Sequence, residues 1–153
     1  MKKTIKTKEL MEAYQVLGSA KYQKLSDEDK VKVWKITRQL KPHAMKYMED
    51  EQDAREKMMP YEGFQEQVAK AQQYELERKA GREDLQMTEQ EYFGVVADMM
   101  KYNKVVDDAL RELQDKEVEI DVEPLSEDAF AKLMSSNDWN MQQAVCVSDI
   151  FGL

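Results

Sequence analysis

The sequence predicts a mainly α-helical bundle of about five or six helices with a minor two-stranded β ribbon that pairs residues 2–6 with 117–123. Three observations carry that expectation. The charged fraction is 35% and the hydrophobic fraction 42%, with five Gly and three Pro in 153 residues, which suits amphipathic helices and argues against a β-sandwich or a disordered chain. From Tyr92 through Val95, Met99, Tyr102, Val106 and Ala109 to Leu113, apolar residues recur in alternating steps of three and four, so they share one helical face. The period then falls to two: Val118, Ile120 and Val122 alternate with Glu117, Glu119, Asp121 and Glu123, as in a half-buried strand ended by Pro124.

Taken in order, Lys2 to Lys6 is short and basic around Ile5. Its lysines suit a ladder against the acidic residues of 117–123, and an isolated strand there would leave its backbone groups unpaired. Thr7 is placed to cap a helix carrying Leu10, Ala13, Tyr14 and Leu17, with Gly18 as its stop. Ser26, followed by Glu28 and Asp29, starts the next helix, because carboxylates in a first turn are favoured by the helix dipole. Its stripe is Val33, Ile36, Leu40, Ala44, Tyr47, Ala54 and Met58, with Trp34 beside it. Pro42 removes an N–H from that helix and predicts a kink or a break near Leu40–Lys41.

Met58-Met59-Pro60 reads as a turn. The segment after it has helix formers but a thin apolar face (Phe64, Val68, Ala71, Leu76), so 59–86 is expected as an exposed helical arm, ended by Gly81 and a joint at 82–86. Thr88 and Glu91 have capping-box spacing, and Met87 with Tyr92 can form a hydrophobic staple at the start of the long stripe, which Val96, Met100 and Leu110 widen. After the strand, Ser126 caps a helix expected to bury Phe130, Leu133 and Met134, and Ser135 to Asp138 is a loop. Trp139 to Leu153 has Asp149 as its only charged side chain and predicts a last short helix. Nine of those residues are hydrophobic, too many to leave in water, so they dock on the chain's own core or on a partner. The candidate interface residues are Trp139, Val145, Ile150, Phe151 and Leu153.

The length suits a single helical domain, 1–153. No apolar run approaches a membrane span, and Met1-Lys2-Lys3 leads into polar sequence. Cys146 is the only cysteine, which rules out an internal disulfide and points to a reducing compartment. The net charge is −8, unevenly spread: residues 1–46 hold twelve Lys/Arg against five Asp/Glu, and 47–153 hold eleven against twenty-six. Mutual neutralisation of the two halves, within the fold or between subunits, is the first expectation, and nucleic-acid binding by the basic half is disfavoured.

Motifs with chemistry are missing from the sequence. His43 is the only histidine and could supply one metal ligand at most; neither HExxH nor paired Glu-x-x-His occurs. Nothing in the sequence brings Cys146 to His43 as a nucleophile and base. Gly18, Gly63, Gly81, Gly94 and Gly152 are too scattered for a phosphate loop. No catalytic residue, cofactor or metal is therefore expected. Eleven methionines fit core filling at helical spacing, with an adaptable binding surface as the alternative.

The runs MKKTIKTKELMEAYQVL, KLSDEDKVKVWKITRQLKPH and DKEVEIDVEPLSEDAFAKLM together resemble a group of small, mostly helical proteins of unassigned function from tailed bacteriophages and prophages. The resemblance covers both ends of the chain, and 59–86 departs from it. It implies a phage protein with a structural or host-interaction role and brings no catalytic residues with it. Together with the lack of chemical motifs, this makes a non-enzymatic phage structural or assembly protein the first expectation, in the virion or the host cytoplasm. Its partners would be other phage proteins, a host protein or further copies of the chain, without a membrane. An acidic inhibitor of a host nucleic-acid enzyme, its carboxylates imitating phosphates, is the alternative.

Overall fold

The lysine-rich first strand and the acidic strand that follows the longest apolar stripe pair with each other. In the computed structural model, which describes residues 1–153, β1 (Lys2–Lys6) is followed by the helices α1 (Thr7–Gly18), α2 (Asp27–Lys57), α3 (Phe64–Lys79) and α4 (Glu89–Asp115). The strand β2 (Glu117–Asp121) and the helices α5 (Glu127–Ser135) and α6 (Met141–Ile150) complete the order. The architecture is thus a mainly α-helical bundle of six helices with one two-stranded antiparallel sheet. The chain divides into two compact units, Met1–Asp50 with Glu112–Leu153, and Glu51–Arg111.

In the first unit the ladder sets Lys2 opposite Asp121, Lys3 opposite Ile120, Thr4 opposite Glu119, Ile5 opposite Val118 and Lys6 opposite Glu117. Alternation sends Ile5 and Ile120 into the core and leaves the other face to charges, where Lys2 meets Glu119 at 3.2 Å. The strand stops at Asp121, two residues short of the expected 123. Beyond it the Val122 N–H still donates to the Met1 carbonyl at 2.8 Å, and Gln39 of α2 covers the backbone of Asp121, its side-chain amide donating to the Asp121 carbonyl at 2.8 Å and accepting from the Asp121 N–H. At the other end Thr7 does not cap α1. It is the helix's first residue, and both its N–H and its hydroxyl donate to the Lys116 carbonyl, at 2.9 and 2.8 Å. A side chain spent on the ladder cannot also serve the helix end; the Glu9 carboxylate accepts from the Lys6 N–H instead.

The core of this unit collects Ile5, Leu10, Leu17, Val33, Leu40, Ile120, Val122, Leu133, Val147 and Phe151. The expected break at Leu40–Lys41 does not occur, because α2 runs unbroken through Pro42. Pro42 and Arg38 both face solvent, so the Arg38 carbonyl, deprived of its helical donor, is open to water and its loss does not leave a buried orphan. Gly18 is the last residue of α1 and keeps a negative φ, and the Ser19 hydroxyl donates to the Gln15 carbonyl at 3.2 Å. Ser126 caps α5 by accepting from the Ala129 N–H at 3.1 Å. Leu133 is buried there, Phe130 is half-buried, and Met134 lies at the surface rather than in the core.

In the second unit, Ala71, Tyr74, Met87 and Val95 form the core, with Val68, Leu85, Tyr92 and Met99 packed against it. Thr88 accepts from the Glu91 N–H at 3.1 Å, and Met87 packs in the same cluster as Tyr92, as a staple requires. Two members of the expected stripes face water: Leu76, displaced from the packed face of α3 by Tyr74, and Met100, 70% exposed on α4. Phe64 is buried between the rings of Tyr61 and Tyr102, with centroids 5.5 and 5.3 Å away, and the Tyr102 hydroxyl donates to the Arg55 carbonyl at 2.7 Å.

Candidate interaction groove

A groove of about 650 Å³ lies in the first unit, where β1, α1 and α6 meet. α6 can line it because Asn140 and Gln143 close a full capping box: Asn140 accepts from the Gln143 N–H at 2.8 Å and Gln143 accepts from the Asn140 N–H at 3.0 Å. From that start the helix turns Ala144, Val147 and Ile150 inward and leaves Met141 and Val145 outward. Met141 is 80% exposed and Val145 49% exposed, side by side in the groove wall, and buried Ile5 and Ile150 form its floor.

Glu9 and Glu12, one turn apart on α1, and Asp149 on α6 bring three carboxylates to the rim, and Lys3 is the one cation in the wall. Cys146 reports their convergence. Burial, and then the charges of Glu12, Asp149 and Glu9, push its thiol up to about 11, and its Sγ approaches the Glu9 carbonyl at 3.9 Å. A thiol so held carries almost no thiolate at neutral pH, the opposite of a nucleophilic cysteine. His43 lines a different hollow, with Thr7, Tyr47 and Lys116. No group of three or more His, Cys, Asp and Glu side chains is placed to hold a metal.

The five residues singled out from the sequence separate here. Val145 and Ile150 enter the groove as wall and floor, whereas Phe151 is wholly buried in the core. Trp139 packs half-buried against that core and borders another hollow beside Gln15, Lys21 and Asn137. Leu153 is exposed. Sequence reasoning missed Met141, Ile5, Glu9 and Glu12 as groove residues. The Asn140-x-x-Gln143 spacing was a usable signal for where α6 starts, and with it for Met141 facing out. No local pattern could have shown that α1 and α6 lie together. No protein-family model, curated protein or solved structure matches the chain. What the fold defines is therefore a class, a six-helix bundle with a two-stranded sheet, and no helix in it is long and apolar enough to cross a membrane.

Proposed function

We propose that the chain is a non-enzymatic, phage-type structural or assembly protein that acts through protein–protein contact, with the groove between α1 and α6 as its contact surface. The observation that carries the contact reading is the pairing of exposed Met141 and Val145 with a carboxylate rim: apolar side chains left in water at a concave surface gain most when a partner covers them. The phage assignment is supported by the resemblance of the two ends of the chain. The raised pKa of Cys146 speaks only against this thiol as a nucleophile. The phosphate-mimic alternative has less support, because carboxylates around β2 are matched within the chain, Glu119 by Lys2 at 3.2 Å and Glu123 by Lys35 at 2.9 Å.

Val145→Asp tests this reading. The substitution sits at the half-exposed wall, so it should leave the melting temperature within about 2 °C of wild type, as surface changes usually do. In the phage or prophage that encodes the chain, mass spectrometry of particles and assembly intermediates should find the wild-type chain and lose the variant. Particles and intermediates that never contain the chain, or that retain Val145→Asp at the wild-type level, would overturn it.

A further inference from the structure

The outer surface of α2 is as unusual as the groove. The core-facing stripe of this helix is Val33, Ile36, Leu40, Ala44 and Tyr47, and a surface helix normally carries polar residues opposite such a stripe. Here the opposite side presents Val31, Trp34 and Met45, all between 43% and 52% exposed, interleaved with Arg38 and Lys41. Arg38 lies over the Trp34 ring at 5.2 Å, and neither Arg38 nor Lys41 is engaged in an ion pair. The groove has the complementary character: exposed Met141 and Val145 beneath Glu12 and Asp149, neither of which is paired with a cation. From Val31 to Lys41 the stripe is about 15 Å long, and so is the ten-residue α6 that forms the groove wall.

Resting on the contact reading above, we propose that the occupant of the groove is a second copy of this chain, which inserts the Val31–Trp34–Arg38–Lys41 face of its α2. Trp34 covers Met141 and Val145, while Arg38 and Lys41 reach the carboxylates of Glu12 and Asp149. This is the helix-in-groove mode, with the apolar contact supplying affinity and the charges fixing orientation. Because stripe and groove are different surfaces, two copies can close reciprocally about a two-fold axis, whereas a contact made only once between them is heterologous and passes on to a third copy.

The test is a charge exchange read by sedimentation or light scattering on the full chain. Wild type should show a mass above the monomer that grows with concentration and falls with added salt. Arg38→Glu with Lys41→Glu makes the stripe acidic, and Glu12→Arg with Asp149→Lys makes the groove basic. Each double variant alone should require about ten-fold or more higher concentration to associate, the loss expected when close charge pairs turn repulsive. Mixed together, the two variants present an acidic stripe to a basic groove and a basic stripe to an acidic groove, and association should return. Unchanged circular dichroism would show that each variant is folded. A wild-type chain that stays monomeric at its highest attainable concentration, or variants whose mixture behaves as the sum of its parts, would overturn the proposal. If particles nevertheless lose Val145→Asp, the contact reading stands with a different partner; if they retain it, that reading fails as well.

Discussion

The thiol of Cys146 sits half under α1 beside Glu9, Glu12 and Asp149, so losing its proton creates a fourth negative charge in a partly desolvated place. Its pKa is raised from 9.0 to about 11, which means ionisation is harder in the fold than in the unfolded chain. The stability this site contributes is therefore intact below pH 9 and lost as pH rises toward 11. Reaction with a disulfide reagent at pH 8 should be about 100-fold slower in the folded chain than in guanidinium, from the thiolate fraction alone. Equal rates would show the thiol to be unperturbed. Phe151 and Val145 make a second comparison. Phe151 is fully buried, so Phe151→Ala should cost about 3–5 kcal/mol, whereas Val145→Ala at the groove wall should cost under about 1 kcal/mol. Urea titration of both variants decides, and equal losses would mean that the groove wall is as tightly packed as the core.

Helix α2 carries Pro42 in its exposed middle without breaking, and this makes the proline a cost that packing overrides. Pro42→Ala should restore the N–H to the Arg38 carbonyl and raise stability by about 1 kcal/mol or more, read as a higher melting temperature. A lower one would mean that the proline supports a local geometry the helix needs. Asn140→Ala removes the side chain that starts α6 and should cost about 1 kcal/mol. Elements were the most legible part of this chain. The step from Leu113 to Val118, where period 3.6 gives way to period 2, marked α4 and β2, and opposite charge marked β1 as the partner of β2. The misplacements came where tertiary contact outbid a local preference. Thr7 has the composition of a cap but donates to Lys116; Leu76 and Met100 have apolar side chains at helical spacing but no neighbour to cover them; Pro42 breaks only helices that nothing else holds.

Across the molecule, the division into two units leaves no mark in the sequence, because its boundaries fall inside α2 and α4, where the helical pattern continues. The same limit hid the groove. Val145 and Ile150 were visible as apolar residues of a nearly uncharged segment, but their wall partners come from the opposite end of the chain, and no periodicity joins residues 5 and 9 to residue 145. Burial, by contrast, was readable in the middle of the long stripe. Val106 is fully buried in α4, so Val106→Asp places a carboxylate where no donor meets it and should cost at least about 3 kcal/mol. Thermal melting checks this, and an unchanged transition would mean that the face is open to water.

The clasp at Thr7 and Lys116 spans 109 positions along the chain, and the whole β1–β2 ladder is closed over distances of that order. During synthesis β1 therefore waits roughly 5–20 s for β2 to be made, at ordinary elongation rates. The lysines that later meet Glu117–Asp121 keep the waiting segment charged and discourage it from pairing with a neighbouring nascent chain. Such a ladder raises contact order and closes late, after the local helices have formed. In refolding kinetics Ile5→Val should accordingly speed unfolding and leave the folding rate nearly unchanged.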